Sequence, residues 1–490
     1  MYMPLIPSRN YWIVREEIIM GNKRNSFSGA IGFVLAAAGS AVGLGNIWRF
    51  PYLAAKDGGG LFVIIYFILA FTFGYTLLVT EVSIGRLTKQ SSLTAYNRIK
   101  NGKVWKALGI ISCLVPFLIL PYYCIIGGWV TKYSVSFATN KMAEVAHNDF
   151  FGNFITDKTE PIVFDFIFLL ITVIVVFAGV NKGIERMSKI LMPSLLFLII
   201  FIAIYALLSN DPDSGRSGLD GLKVYLIPDL KTLTFKKFVI TLTDAMGQLF
   251  YSISVAMGIM IAYGSYFKKE NNLVQSVNRI ELFDTFVAFT AGIMIIPPVF
   301  VYMGYEGLES GGPGLMFKTL PKVFLEMGDV GKVFGAAFFV MVFFAALTSS
   351  VSVLEAVVSS LMDKFKMSRK KAVVIEFFIT FILGVIVCLG YNVFYFEAKL
   401  PNSGKGQTAQ ILDIMDYLAN NILMPLVAIG TCILIGWVVG PKLIIDEATI
   451  NGEKFRRKKL YVVMIKYICP ILLFVLLAVS LGLFNILGIN

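Results

Sequence analysis

Residues 39–51 read Gly-Ser-Ala-Val-Gly-Leu-Gly-Asn-Ile-Trp-Arg-Phe-Pro, and they interrupt an apolar stretch that begins near Phe27. Glycines on both sides of Leu44, followed by Asn46 and Arg49, are poor material for a continuous helix that faces lipid. Backbone groups without hydrogen bonds cost several kcal/mol each in hydrocarbon, so such a segment is tolerated only where it is buried in protein or lines a wet cavity. The stretch therefore predicts a binding site inside a membrane protein.

The composition excludes an ordinary soluble protein, because 57% of the 490 residues are hydrophobic and only 15% are charged. About eleven apolar runs are long enough to span a bilayer. They lie near 27–54, 61–84, 108–136, 162–180, 187–208, 239–264, 282–304, 333–361, 372–391, 410–439 and 461–487. We expect an all-α integral membrane protein, with a cytoplasmic N-terminal segment (1–26) and a single membrane domain (27–490).

The net charge of +12 is concentrated in alternate loops. Cations dominate the segments 86–106, 363–371 and 454–459, which the positive-inside rule assigns to the cytoplasm. With an odd number of spans, the N-terminus is then inside and the C-terminus outside. The charge thus reflects membrane topology, and no nucleic-acid partner is expected.

The residues needed for enzymatic chemistry are sparse. The five cysteines lie in or at the edge of apolar runs without paired spacing, and His147 is the only histidine. No cluster of a nucleophile, a base or a metal set is visible, so an enzyme is not expected. A channel would show a filter or rings of charge instead of broken helices.

A second apolar span, 239–264, is also interrupted, because its centre contains two glycines, Gly247 and Gly258, and two serines, Ser252 and Ser254. Small residues also serve close helix packing, so for either span alone both interpretations stand. Two interrupted spans in corresponding halves of a chain are typical of inverted-repeat transporters with a site at the membrane midplane. Together they favour a transporter.

Several stretches resemble the neurotransmitter:sodium symporter family, most closely its bacterial amino-acid transporters. The resemblance is carried by residues 39–51, Asp57-Gly-Gly-Gly, Gly183-Ile-Glu-Arg, Gly247-Gln-Leu-Phe-Tyr-Ser-Ile-Ser and Leu347-Thr-Ser-Ser. It implies a LeuT-type five-plus-five inverted repeat with discontinuous helices 1 and 6, in a variant that lacks the twelfth helix.

The resemblance also assigns the substrate contacts. Contacts in the broken spans correspond to Ala41, Gly43, Leu44, Gly45, Tyr251, Ser252 and Ser254. The side-chain pocket corresponds to Ile119, Tyr251, Met257, Ser349 and Val353. Tyr123 matches a tyrosine whose hydroxyl holds the substrate carboxylate, although without the family pattern an ordinary helix-packing tyrosine is the preferred interpretation.

Gly43 discriminates between substrate classes, because monoamine members of the family carry an aspartate at this position. A glycine leaves that space to the substrate's own carboxylate. Since the pocket has no charged residue, the resemblance implies a neutral hydrophobic or aromatic L-amino acid.

Two Na⁺ sites are implied by the resemblance, and both consist of oxygen ligands. The first corresponds to Ala41, Asn46, Ser252 and Asp284, and the second to Gly39, Val42, Ala345, Thr348 and Ser349. The carboxylate of Asp284 implies that chloride is not required; an interfacial acid is the alternative. Hydroxyls bonded back to their own helix are the alternative for Thr348 and Ser349.

The resemblance also implies gate residues and structural residues. Arg49 with Asp416 matches the outer pair and Arg24 with Asp363 the inner pair, while Phe27 stands where relatives have a tryptophan. Snorkelling is the alternative for the four charged residues. The structural positions are Glu81, which ties down unwound backbone, and Gly183 with Pro193, which let the fifth span unwind on its cytoplasmic side; a proline kink alone is the alternative for the last pair. Glu355 reads equally as a proton site or as an arginine partner.

The resemblance implies sodium-coupled import by alternating access, in the plasma membrane and most simply the bacterial inner membrane. The expected partners are the amino acid, Na⁺ and the lipid bilayer, and the sequence leaves the oligomeric state open. The alternative is a transport-inactive amino-acid sensor on the same fold.

Overall fold

The computed structural model describes residues 26–230, 233–309, 311–401 and 408–483. The described part is almost entirely helical, with one two-residue antiparallel hairpin formed by β1 (Asn210–Asp211) and β2 (Arg216–Ser217). The helices are α1 Ala30–Ala41, α2 Gly45–Lys56, α3 Gly60–Thr88, α4 Ser92–Ile99, α5 Lys103–Ala138, α6 Met142–Val145, α7 Phe150–Thr156, α8 Glu160–Phe177, α9 Val180–Leu208, α10 Gly218–Leu226, α11 Phe235–Ser252, α12 Ile259–Tyr266, α13 Leu273–Leu308, α14 Leu320–Glu326, α15 Gly328–Phe365, α16 Arg369–Leu389, α17 Ile411–Val438, α18 Lys442–Ala448 and α19 Lys458–Ser480.

Nine of the helices in these ranges are long and apolar enough to cross a membrane, and the bent pair α1 and α2 makes a tenth span. The predicted all-α membrane fold is thus confirmed. The predicted span at 239–264 corresponds to α11 and α12. The first of these helices, α11, carries Lys236, Lys237 and Asp244 within 18 residues, so its composition alone does not mark it as a span.

Both predicted interruptions are present. The axes of α1 and α2 differ by 53° across the break at Val42, Gly43 and Leu44. Between α11 and α12 the backbone leaves the helical region, and Ser254 and Ala256 adopt positive φ angles of 55° and 61°. Left-handed backbone is uncommon for residues other than glycine and is held only where surrounding contacts impose it.

The two breaks lie against each other in the protein interior. The Ser254 hydroxyl donates to the Ser40 carbonyl at 3.0 Å, and the Gln248 side chain donates to the Gly45 carbonyl at 2.9 Å. The Ser40 carbonyl lies in the last turn of α1, where carbonyls lack an intrahelical partner, whereas the Gly45 carbonyl also accepts from the Phe50 N–H within α2. Hydrogen bonds therefore join the sixth span to the break in the first span in the protein interior.

The long helices around the breaks pack closely through small residues. A Cβ atom placed at Gly85 in α3 would collide with the Ile261 carbonyl of α12, and one at Gly264 would collide with the Val82 carbonyl. Close backbone approach of this kind is characteristic of helix packing in membranes. It fixes α12 against α3, and hence the position of the second break.

Candidate functional site

A cavity of about 340 Å³ lies between the two broken spans. Its lining contains no charged residue and consists of Ser40, Ala41, Gly43, Gly45, Asn46, Ile119, Tyr123, Tyr251, Ser254, Met257, Ile259, Ser349 and Val353. All the residues predicted from the sequence as substrate contacts line it except Leu44 and Ser252, which lie next to it. Ser40 and Ile259 are lining residues that the sequence did not single out.

Gly43 leaves space that a side chain would fill. A Cβ atom at this position would lie 2.7 Å from the Ser349 hydroxyl and 3.2 Å from the Tyr123 hydroxyl. The Tyr123 hydroxyl is also 3.5 Å from the backbone nitrogen of Leu44, which donates to it. The break in the first span thus presents backbone N–H groups and two hydroxyls to one small space.

The helix ends add fixed partial charges to this space. The N-terminus of α2 and that of α12 contribute positive ends, and the C-termini of α1 and α11 contribute negative ends. Such an arrangement favours a molecule that carries one negative and one positive group close together. The uncharged remainder of the cavity favours an apolar group.

A cluster of buried oxygen atoms lies beside the cavity. The Asp284 carboxylate accepts hydrogen bonds from the Asn46 amide at 2.8 Å and the Ser252 hydroxyl at 2.6 Å. The Tyr66 hydroxyl donates to the other Asp284 oxygen at 3.3 Å. Asn46 and Ser252 are also in contact, 3.2 Å apart. This set brings together three of the four residues predicted for the first sodium site, and Ala41 lines the adjoining cavity.

These atoms fit a monovalent cation. A carboxylate, an amide carbonyl and a hydroxyl are hard oxygen donors, and all of them are withdrawn from solvent. Asp284 supplies a negative charge with no cationic partner among the described residues. Tyr66 was missed by the sequence interpretation, because a tyrosine in an apolar run looks like a packing residue.

A second group of oxygens lies between α1 and α15. The Ser349 hydroxyl is 3.1 Å from the Ser40 carbonyl and 3.5 Å from the Gly39 carbonyl. The Thr348 hydroxyl donates back to the Phe344 and Ala345 carbonyls at 3.0 and 3.1 Å, which is the alternative considered from the sequence. The lone pairs of the Thr348 hydroxyl oxygen stay available when it donates these bonds, so the hydroxyl can bond to its own helix and coordinate an ion at the same time. Val42, also predicted here, ends α1, and its N–H bonds to Ala38.

Tyr251 lies between this cavity and a wider one of about 740 Å³, which we call the outer cavity. Arg49 lines the outer cavity, but within the described residues no ion pair joins it to Asp416. Asp416 instead accepts from the Asn420 amide at 2.6 Å, and that amide also bonds to Tyr122 at 3.1 Å. The outer pair predicted from the sequence is therefore not in direct contact in this conformation.

A carboxyl pair lies just outside α2. The Lys56 ammonium is 2.8 Å from Asp244 and 3.9 Å from Asp57. Burial of the Asp57 carboxyl, together with the neighbouring Asp244 carboxylate, raises the pKa of Asp57 to about 7 against the opposing effect of Lys56. This contact joins the ends of the first and sixth spans that lie on the predicted external side.

The predicted cytoplasmic side of the cavity is closed by aromatic packing. The Phe27 ring lies edge-on to Phe33, Tyr263 and Tyr266, with ring centroids 5.7, 5.7 and 6.3 Å apart. Asp363 accepts from the Ser91 backbone N–H at 2.6 Å. Arg24, its predicted partner, lies outside the described residues.

Glu185 holds the start of the first span. Its carboxylate accepts from the Ser28 backbone at 2.8 Å and from the Ser28 hydroxyl, and it pairs with Lys189 at 2.6 Å. The Gly183-Ile-Glu-Arg motif contains this glutamate, but the sequence did not show its partner. Gly183 lies in a π-helical turn (Val180–Glu185), against the Val175 carbonyl, and Pro193 follows within α9.

The two remaining acids have distinct partners. Glu81 accepts from the backbone N–H of Ala256, in the break between α11 and α12, at 2.7 Å. Glu355 pairs with Arg369, whose second nitrogen lies 2.8 Å away, and also accepts from Tyr266. Of the two interpretations of Glu355, the arginine partner is therefore the one this conformation contains.

Comparison with known proteins agrees with this geometry. The model of the Sodium:neurotransmitter symporter family matches residues 24–159 and 155–490. The Bacillus subtilis (strain 168) protein named uncharacterized sodium-dependent transporter YhdH is 32% identical over 94% of this chain and 97% of its own length. The human sodium- and chloride-dependent taurine transporter is 27% identical over 85% of this chain and 72% of its own.

The crystal structure of MhsT in complex with L-phenylalanine matches the fold with a TM-score of 0.82 and 34% sequence identity, over 94% of this chain and 100% of that chain. Fold and site thus define a multi-pass membrane transporter of the LeuT type. The chain belongs to the sodium:neurotransmitter symporter family and is a sodium-dependent symporter.

Proposed function

We propose that this protein imports a neutral, hydrophobic or aromatic L-amino acid together with Na⁺ by alternating access. The observation that carries the proposal is the uncharged cavity between the two broken spans, directly beside the buried oxygens of Asp284. A zwitterion suits the helix ends, and an apolar side chain suits the rest of the cavity.

The substrate carboxylate is placed at the break of the first span. The space beside Gly43, the Leu44 N–H and the Tyr123 hydroxyl provide room and hydrogen-bond donors for it. The side chain then lies toward Ile119, Met257 and Val353, where a charged group would be buried without a partner at high cost. L-phenylalanine, which MhsT binds, is a suitable first probe.

Two sodium ions are co-transported in this proposal. The first takes Ala41, Asn46, Ser252, Asp284 and the substrate carboxylate, which couples ion binding to substrate binding. The second takes Gly39, Val42, Ala345, Thr348 and Ser349, between α1 and α15. Because Asp284 contributes a fixed negative charge, chloride is not required.

Alternating access uses the contacts on either side of the cavity. On the outside, Tyr251 covers the substrate and Arg49 moves toward Asp416 as the pathway closes. On the inside, Phe27 withdraws from Tyr263 and Tyr266 as the pathway opens, and Arg24 pairs with Asp363 when it closes. Release of Ser28 from Glu185, with unwinding between Gly183 and Pro193, accompanies inner opening. The proposal also places the N-terminus in the cytoplasm and the C-terminus outside. The membrane is the bacterial inner membrane.

Uptake into liposomes tests the function. Purified protein is reconstituted into vesicles, and accumulation of labelled L-phenylalanine is measured with an inward Na⁺ gradient, with K⁺ in place of Na⁺, and after the gradient is collapsed. We expect accumulation only with the gradient, and competition by other hydrophobic amino acids but not by phenethylamine, the decarboxylated analogue. Sodium-dependent binding without accumulation would instead indicate the transport-inactive sensor, and equal competition by the amine would contradict carboxylate recognition.

A further inference from the structure

A groove of about 930 Å³ lies away from the transport pathway, between the inner part of α3, the start of α13 and the segment that precedes α19. The charge pattern assigns this side of the protein to the cytoplasm. The charged residues of its lining are Lys454, Arg456 and Arg457, and the polar ones include Asn272, Gln275 and Asn278. No acid lines it among the described residues.

Arg457 is held in place, and its positive charge is already paired. Its guanidinium lies over the Tyr75 ring at 3.6 Å and pairs with Glu281 at 2.7 Å. It also donates to the Asn278 side-chain oxygen at 2.8 Å and to the Phe71 carbonyl at 3.1 Å. It thus forms the fixed wall of the groove.

Lys454 and Arg456 are different, because both are exposed and neither forms an ion pair within the described part of the chain. The neighbouring acid Glu453 is already occupied by the backbone and side-chain amides of Asn451, at 2.8 and 3.0 Å. The Asn278 side-chain oxygen is occupied by Arg457, which leaves its NH₂ group for a ligand. The groove therefore presents two uncompensated cations and amide donors, a set that suits a phosphate group.

The groove continues into the lipid-facing surface. Asn278, Leu282 and Phe286 follow each other at four-residue intervals on one face of α13, and the side chains of Leu282 and Phe286 are 61% and 45% exposed. Phe71, whose carbonyl contacts Arg457, is 38% exposed on α3. A polar end that leads into an exposed apolar stripe matches a lipid, with its headgroup in the groove and its chains along the helices. A soluble phosphate compound would make no use of the stripe.

We propose that this groove is a binding site for the phosphate headgroup of an anionic lipid of the cytoplasmic leaflet, held by Lys454 and Arg456. Basic pockets between membrane helices on that side are suited to such headgroups. A lipid bound there would bridge α3, α13 and α19.

The test uses the full-length protein in a neutral detergent. Its unfolding midpoint is followed during titration with short-chain phosphatidylglycerol, with phosphatidylcholine of the same chain length, and with inorganic phosphate. A ligand that binds only the folded state raises this midpoint, and the rise grows with the logarithm of the ratio of ligand concentration to Kd once that ratio exceeds one. The variant is Lys454→Gln/Arg456→Gln, and the matched control is Lys458→Gln/Lys459→Gln, which removes the same charge from the same basic run but not from the groove.

We expect phosphatidylglycerol alone to stabilise the unaltered protein and the control. The Lys454→Gln/Arg456→Gln variant should need about 30-fold more lipid, because each cation near an anionic headgroup contributes about 1 kcal/mol. If this variant does not fold, the single variants serve, each with an expected loss of about fivefold. An unchanged response of the double variant, or an equal loss in the control, would overturn the proposal; the same stabilisation by inorganic phosphate would assign the groove to a soluble anion.

Discussion

Glu81 of α3 accepts a hydrogen bond at 2.7 Å from the backbone N–H of Ala256, 175 residues further along the chain. Ala256 lies in the break between α11 and α12 and has a positive φ of 61°. An alanine in left-handed backbone is strained by about 1–3 kcal/mol and keeps that conformation only if its surroundings impose it. The carboxylate of Glu81 is thus one of the contacts that hold the second break in shape, together with the bond from Ser254 to Ser40.

This relationship predicts a difference between two substitutions of Glu81. Glu81→Met keeps the volume but leaves the Ala256 N–H unsatisfied, at a cost of about 1–3 kcal/mol. We expect it to weaken Na⁺-dependent L-phenylalanine binding at least about fivefold, in line with the lower end of that cost. Glu81→Gln is the control, since its amide carbonyl can still accept the bond. Equal binding by Glu81→Met and the unaltered protein, measured by equilibrium binding in detergent, would count against this role.

The separation of Arg49 from Asp416 predicts that both residues act during closure. Arg49→Ala and Asp416→Ala should each slow uptake while leaving equilibrium substrate affinity nearly unchanged, because the substrate contacts lie deeper than Tyr251. A loss of about 1.4 kcal/mol from the closed state lowers its population about tenfold. Uptake and binding are measured on the same preparations, with Asn421→Ala as a control in the same outer cavity. Normal uptake in both variants would identify the two residues as interfacial anchors.

Local sequence was enough to predict the two breaks, whereas the predicted residues of the cavity came from the family resemblance. Glycines on both sides of Leu44, and serines and glycines grouped between Gly247 and Gly258, weaken a helix locally, so the positions of the breaks can be inferred from the residues at the breaks themselves. The family resemblance then supplied Ile119, Tyr123 and Val353, which come from distant helices and which no local pattern brings together.

The contacts that the sequence did not show join residues far apart in the chain. Glu185 bonds to Ser28 across 157 residues, and Tyr66 bonds to Asp284 across 218. In an apolar run, Tyr66 has the same appearance as a packing tyrosine, because only its partner distinguishes the two roles. The separation of Arg49 from Asp416 could not be predicted for another reason. It depends on the conformational state, and the same sequence adopts every state of the transport cycle.

Asp57 predicts a pH dependence of stability on the outer side. Its pKa is about 7 in the folded protein, and an unfolded chain restores the ordinary value near 3.8. Between these values the folded state binds the proton more tightly, so the stabilisation from Asp57 is complete below about pH 4 and is lost as the pH rises through about 7.

The unfolding midpoint of the unaltered protein should therefore fall between pH 5 and pH 8 by more than that of Asp57→Asn, which has no group to ionise. Each unit of pKa difference corresponds to about 1.4 kcal/mol. Asp229→Asn is the control, because Asp229 is a partly exposed acid 3.8 Å from Lys237 in the same outer region. The prediction fails if the unaltered protein and Asp57→Asn lose the same stability over this range.

Asp284 predicts transport that does not depend on chloride. Two sodium ions and a zwitterion bring excess positive charge to the membrane interior, where an uncompensated charge is costly. The Asp284 carboxylate already lies among the oxygens of Asn46, Ser252 and Tyr66, so it can offset that charge without an external anion. Uptake by the unaltered protein should be the same in chloride and in gluconate buffer.

Asp284→Asn keeps the shape of the side chain and removes its charge. We therefore expect it either to lose uptake or to acquire a chloride requirement, with a weaker apparent affinity for Na⁺ in both cases. Glu376→Gln is the matched control, because Glu376 is a buried carboxyl of α16 whose hydrogen-bond partner is Thr380 and which lies outside the oxygen cluster. Strong chloride dependence of the unaltered protein, or unchanged Na⁺ affinity in Asp284→Asn, would show that the compensating charge comes from elsewhere. The Glu376→Gln control separates a specific role of Asp284 from a general effect of losing a buried acid, because a general effect would appear in Glu376→Gln as well.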